Sequence, residues 1–391
     1  MNKKIIMAGG FLLLAGMLGL GCSSAADPSQ KDRNGTGKLD LPETGATIDT
    51  NVACDEEMIA QDFSADETGL PIVYVDAAAD ESVADGTAVH PFITIEQAFL
   101  TVTAPAKLLV AEGEYNLAEV PVGWHIYGGY DGTFTTSDPS RKAVIHSPVT
   151  AIDEQTLSIG DPSFNISNPS GALTVLVNLD MAEMNIDSYE TNLVVEMSRI
   201  GGVIQEGATL RLVNNEVIKP EGRALYEGVF LSESCAFISG NQIINFSTPV
   251  WLNLADTTQI VGNQIQNGNN GIVLSSSSPE IIGNSFDLFA PEVGCVYAIY
   301  MEGTTHPVIR ENDFFLNNCR SRGINESDSL DADPAALVGN HFHIHECGTP
   351  IYFDADQEPS EGMMVYAITD VNEVNLLTDI PLVGGNTLEM F

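Results

Sequence analysis

The sequence predicts an all-β chain wound as a parallel solenoid. Three observations predict it: a phrase that recurs at near-regular spacing, pairs of β-prone runs between its copies, and a start that reads as a cap. The phrase is apolar, any, Gly, Asn, any, apolar. It occurs at Ile238–Ile243, Ile260–Ile265, Ile281–Phe286 and Leu337–Phe342, and Ile309–Phe314 keeps the frame without the glycine. Its asparagines, Asn241, Asn263, Asn284, Asn312 and Asn340, are 22, 21, 28 and 28 residues apart. Such a period fits one coil of a stack in which each turn pairs with the turns above and below.

The elements follow in order. Lys3 and Lys4 precede an apolar stretch, Ile5 to Leu20, that reads as a secretory signal, too short for a permanent membrane span. Residues 22–51 are rich in Ser, Asp, Gly, Thr and Pro and read as a flexible tether, lacking the apolar surface to fold alone. Folded structure is expected from about Pro71, with a solenoid over 72–391 and its cap and first coils over 72–146. Ile72–Asp76 is a β-prone run. Thr94 with Gln97 forms a capping-box pattern ahead of a short helix whose Ile95, Ala98 and Phe99 share one face. A helix there would cover the open end of the stack, where an unpaired edge invites aggregation. Leu108–Val110 and Trp124–Tyr127 read as strands running into turns.

Two strands are then visible in each coil. One set is Gly228–Leu231, Val250–Leu252, Gly271–Leu274, Ala298–Met301 and Pro350–Phe353; the other contains the Gly-Asn phrases. Both Gly and Asn tolerate left-handed backbone angles and suit a sharp corner, and stacked asparagines can hydrogen-bond up a column. At about 4.8 Å per coil, roughly a dozen coils would extend on the order of 60 Å. Val371 to Leu377 reads as a last coil or a cap.

Two resemblances sharpen this reading. Leu18-Gly19-Leu20-Gly21-Cys22-Ser23-Ser24 resembles a bacterial lipobox, with Gly19 standing where leucine is usual. It implies cleavage after residue 21, lipidation of Cys22 and, from Ser23, the outer membrane or cell surface; acyl chains anchor without spanning. The stretch Val73-Tyr74-Val75-Asp76, Gly86-Thr87, Pro91-Phe92-Ile93-Thr94-Ile95, Gly113-Glu114-Tyr115 and Tyr127-Gly128-Gly129-Tyr130-Asp131 resembles the cap and first coils of bacterial right-handed parallel β-helix proteins. Their fold is pectate-lyase-like, and many are surface lipoproteins. The resemblance implies handedness and fold and is nearly silent about activity.

Composition narrows function. With 15 Lys and Arg against 54 Asp and Glu, the formal charge is −39. Such a surface repels nucleic acid and polyuronates and attracts divalent cations. Cys319 and Cys347 each lie seven residues after a repeat asparagine, so they hold one place in adjacent coils, and a Cys319–Cys347 disulfide is expected in an exported protein. Cys54, Cys235 and Cys295 have no assigned partners. His341, His343 and His345 alternate with Phe342 and Ile344, which turns the three imidazoles outward on a strand, with Asp313 one coil earlier in the register of His341. That set is a candidate for a zinc-type ion. Asp328, Asp331 and Asp333, and Asp354, Asp356 and Glu358, are candidate Ca²⁺ ligands or simply solvated loops. Arg310, Arg320 and Arg322 are the only clustered cations.

The leading expectation is a lipid-anchored surface β-helix that presents a long face to a glycan or protein partner, without assigned catalysis. A polysaccharide lyase or glycoside hydrolase on the same scaffold is the alternative, and a metal-binding surface protein the third. Two carboxylates beside exposed aromatics in a groove would favour the enzyme.

Overall fold

The computed structural model describes residues 54–61, 63, 69–117, 119–146, 163–167, 172–221, 227–288, 295–317, 320–326, 332, 334–345, 348–354, 365–368 and 382–390. They belong to one compact unit, 45–391. The unit is a parallel β-solenoid with three sheets. The first contains twelve strands, from Ile72–Val75 at one end to Leu382–Gly384 at the other, each hydrogen-bonded to the strand one coil away. The second holds short strands such as Gln242–Ile244, Gln264–Gln266, Ser285–Asp287 and His341–Ile344. The third holds Glu227–Ser232, Thr248–Asn253, Asn270–Ser275, Val296–Glu302 and Ser321–Glu326. The second and third sheets share Leu179–Tyr189 and Arg199–Glu206, which turn the corner between them. The latter pairs with Glu216 and Val217 before Gly201 and with Val229 to Ser232 after it.

The Gly-Asn phrase spans the corner between the first and second sheets. Gly240, Gly262, Gly283 and Gly339 have φ between 62° and 65°, the left-handed region that favours glycine. The residue before the asparagine, not the asparagine itself, adopts this angle. A Cβ on Gly262 or Gly283 would meet nothing within 4 Å, so backbone torsion and not crowding selects glycine there. Glu311 accepts the same torsion at φ 56° in the copy that lacks Gly.

The asparagines stand in a buried file. Each Oδ1 accepts from both the backbone N–H and the Nδ2 of the asparagine one coil earlier. Asn263 Oδ1 lies 2.9 Å from both donors of Asn241, and Asn284 Oδ1 lies 2.9 Å from both donors of Asn263. Asn312 and Asn340 continue the file. Asn215 and Asn386 extend it at the two ends. Each Nδ2 also donates to a carbonyl of an earlier coil, such as Ile238 O for Asn263 at 2.9 Å. The file thus satisfies corner groups that burial would otherwise leave unpaired.

Inside the coils, aliphatic residues stack by position: Val229, Val250, Ile272, Ile299 and Ile324 form one column. Phe286, Phe314 and Phe342 form another, with ring centroids 5.0 and 4.9 Å apart and nearly parallel planes. Glycine in the third sheet makes room for these rings. A Cβ on Gly271 would lie 2.4 Å from Ala298 O and 2.9 Å from Phe286, and one on Gly323 2.4 Å from Pro350 O and 2.9 Å from Phe342.

The N-terminal end is covered by the helix Ile95–Thr101. Its capping box is formed: Gln97 N donates to Thr94 Oγ1 at 3.2 Å, and Thr94 N donates to Gln97 Oε1 at 3.3 Å. Ile95 and Ala98 are buried, and Phe99 packs on Trp124 at 4.8 Å.

Folded structure was expected from about Pro71, but residues 54–61 and 63 already pack on the solenoid. Residues 54–61 and 63 belong to a strap containing the helix Glu56–Ala60, laid on the outer side of the first sheet. Met58 and Phe63 cover Leu109, Tyr127, Val175 and Val194, so that part of the sheet is buried on both sides. Cys54 is disulfide-bonded to Cys235, with Cα atoms 5.3 Å apart. Arg211 pins the strap from below. It pairs with Glu196 at 2.6 Å, donates to Ile59 O, and lies over the rings of Phe63 and Phe237 at 6.0 and 5.5 Å. A bridge closing 181 residues restrains the unfolded chain by about 5 kcal/mol in the loop-entropy model. Cys54→Ser with Cys235→Ser is expected to release the strap first. Hydrogen exchange should rise over 54–63 and the neighbouring first-sheet strands, with the coils beyond Asn263 unchanged. Unaltered exchange over 54–63 would show that Arg211 and the apolar contacts suffice.

At the other end the last coil is Leu382–Gly384 with Thr387–Met390, and Val365–Ile368 adds an antiparallel strand to Thr349–Asp354. The expected coil over 371–377 lies outside the described residues.

Candidate functional site

The third sheet carries a column of large side chains on its outer surface. In strand Glu227–Ser232, Val229 and Leu231 are buried and Phe230 between them is half-buried, so Phe230 faces out. Register places Ile204, Phe230, Trp251, Val273 and Tyr300 one above another. Phe230 and Trp251 meet edge to face at 5.5 Å, and Val273, between Trp251 and Tyr300, is almost wholly covered. Tyr297 lies 5.3 Å from Tyr300 and widens the aromatic surface.

A polar column runs beside it: Tyr189, Glu206, Ser232, Asn253, Ser275 and Glu302. Its members are joined to one another and to the rings. Asn253 Nδ2 donates to Ser232 Oγ at 3.3 Å. Trp251 Nε1 donates to Ser275 Oγ at 3.2 Å, and Ser275 Oγ donates to Glu302 Oε1. Tyr189 is 39% exposed, and its hydroxyl pKa is raised, first by burial and then by the carboxylates of Asp187 and Glu206. Such a face, aromatic along one line and hydrogen-bonding along the next, can stack on a flat ring and hold its polar rim.

The histidine strand lies on the second sheet. Phe342 and Ile344 are buried, while His341 and His345 are exposed and His343 is half-buried. Asp313 is in register with His341, but its Oδ1 lies 3.5 Å from His343 Nε2. His343 Nδ1 lies 3.7 Å from Glu389 Oε2, its ring stacks on Phe315 at 4.6 Å, and His341 Nδ1 is 2.5 Å from Thr387 Oγ1. Asp313 and Glu389 thus meet opposite nitrogens of one ring instead of converging with the imidazoles on a common point. Among the described residues no three His, Cys, Asp or Glu side chains are grouped to hold a metal ion.

Cys22, Cys319 and Cys347 lie outside the described residues, as do Asp328, Asp331, Asp333, Asp356 and Glu358. Cys295 is disulfide-bonded. Of the three clustered arginines, Arg322 is nearly buried; its guanidinium lies 5.6 Å over the Tyr297 ring, and Nη1 donates to Asn325 Oδ1 at 2.8 Å. It is part of the third sheet's aromatic surface. The strand runs containing Phe230, Trp251 and Tyr300 were visible in sequence, but their alignment into one column depends on coil register.

Comparison with known proteins agrees with this architecture. Residues 201–357 match the family model described as "Right handed beta helix region". No curated protein matches the chain. Two solved structures are similar to it, a rhamnogalacturonan lyase and an alginate lyase from Paenibacillus sp. str. FPU-7. They are 10% and 11% identical to it. Each alignment covers 72% of this chain, with 84% and 92% of the respective lyase, and each has a TM-score of 0.31. Overlap this loose says nothing of activity. The recurring phrase, the three ladders of parallel strands and the family match lead to one conclusion: residues 201–357 are a right-handed β-helix.

Proposed function

We propose that the protein is a lipid-anchored β-helix of the outer membrane or cell surface that recognises a glycan through its third sheet, as a structural or recognition module. The observation that carries the reading is the outward column of Phe230, Trp251 and Tyr300 beside Ser232, Asn253, Ser275 and Glu302. A sugar ring has an apolar face and a hydroxylated rim. Aromatic rings exclude water from the first, and hydroxyl, amide and carboxylate groups hold the second. Interleaving of rings with hydrogen-bonding groups favours a glycan over a protein partner, whose interface would have a more apolar core. The lipobox-like sequence at Cys22 supports the anchor.

The test is a glycan-array screen of the soluble part, with and without Ca²⁺, followed by titration of the best ligand. Trp251→Ala is expected to weaken binding about 30-fold, the loss of about 2 kcal/mol typical of a central aromatic. A wild-type protein that binds no glycan above background, or a Trp251→Ala variant that binds equally well, would overturn the reading.

A further inference from the structure

We infer that the glycan this face takes carries free amino groups, as in a chain of deacetylated amino sugars; this rests on the glycan reading above and narrows it. The polar column has a carboxylate towards each end, Glu206 and Glu302, with Asp187 beside Glu206 in the neighbouring column. Glu302 is tied to an aromatic ring, because Ser275 accepts from Trp251 Nε1 and donates to Glu302. An ammonium on a sugar stacked near Trp251 would meet a π-face and a carboxylate together, an arrangement that favours a cation twice over.

The face already seats one cation against an aromatic ring. Arg322 lies over Tyr297 while its guanidinium donates to Asn325. Arg322 is only 9% exposed. Glu206 and Glu302 are half-buried on this face, where an incoming ammonium can reach them. The net charge of −39 draws a polycationic glycan in and turns a uronate chain away.

Bulk attraction would place a polycation anywhere on so acidic a protein, so the test compares single sites. A fully deacetylated β-1,4-glucosamine oligomer, its N-acetylated counterpart and polygalacturonate are titrated by calorimetry at low and high salt. The protein is wild type, Glu302→Gln, Trp251→Ala, or Glu114→Gln, which alters an exposed carboxylate on the second sheet. Circular dichroism checks that each variant is folded. The deacetylated oligomer is expected to bind at least tenfold more tightly than the acetylated one. Glu302→Gln should abolish that preference while keeping the acetylated oligomer, and Glu114→Gln should change nothing. Equal affinity for the two oligomers overturns the inference, as does equal weakening by Glu302→Gln and Glu114→Gln. If Trp251→Ala still removes binding of the acetylated oligomer in that case, the glycan reading stands alone; if it removes no binding, both fall.

Discussion

Asn263→Ala is expected to destabilise the middle coils by about 3–6 kcal/mol and to lower Tm by several degrees. The cost does not come from lost volume. Asn263 is 1% exposed, and truncation removes the acceptor for the backbone N–H and the Nδ2 of Asn241, together with the donor to Ile238 O and Asn284 Oδ1. Each orphaned buried group costs on the order of 1–3 kcal/mol, and the corner is shut off from bulk water in the intact stack. A stack also fails locally before it fails as a whole. Hydrogen exchange should therefore rise most in the strands on either side of the site, Cys235–Ser239, Gln259–Val261 and Glu280–Ile282. A Tm within about two degrees of wild type, with exchange unchanged in those strands, would show that the file is ornament and not support.

Phe314→Ala should cost a comparable amount by a different route. Its ring is the middle member of a stack of three, with Phe286 and Phe342 about 5 Å away on either side, and it is fully buried. Removing it leaves a cavity that neighbouring coils, held at fixed spacing by their ladders, cannot close. The loss is expected to be about 3–5 kcal/mol in chemical unfolding. Phe314→Leu refills most of the volume and should recover more than half of that loss. An alanine variant as stable as the leucine variant would mean that the column collapses freely.

How legible the fold was depends on which physical constraint each residue obeys. The Gly-Asn phrase could be read because two demands coincide on adjacent residues, a left-handed torsion and a buried carboxamide. Two ends of the file escaped for separate reasons. Asn215 follows Asn214, which takes the torsion at φ 55° without glycine, and Asn386 follows Asn340 by 46 residues, outside the period. The corner leaving the third sheet was invisible. Glu190, Gly207, Glu233, Leu254, Ser276 and Gly303 share only a positive φ there and no residue type. The strap was hidden because Cys54 and Cys235 are 181 positions apart, a separation that carries no periodic signal. The candidate face was half legible. Alternation showed which residues point out, but columns formed by Ile204, Phe230, Trp251 and Tyr300 exist only once coils of unequal length are brought into register.

The join between Cys54 and Cys235 also decides how the molecule takes tension. Any tug arriving along the chain before Cys54 passes through sulfur into strand Cys235–Ser239, midway along the stack. From there it spreads sideways into the coils above and below. The first strand, Ile72–Val75, and the capping helix behind it are bypassed, so the end that would otherwise peel open first carries no load.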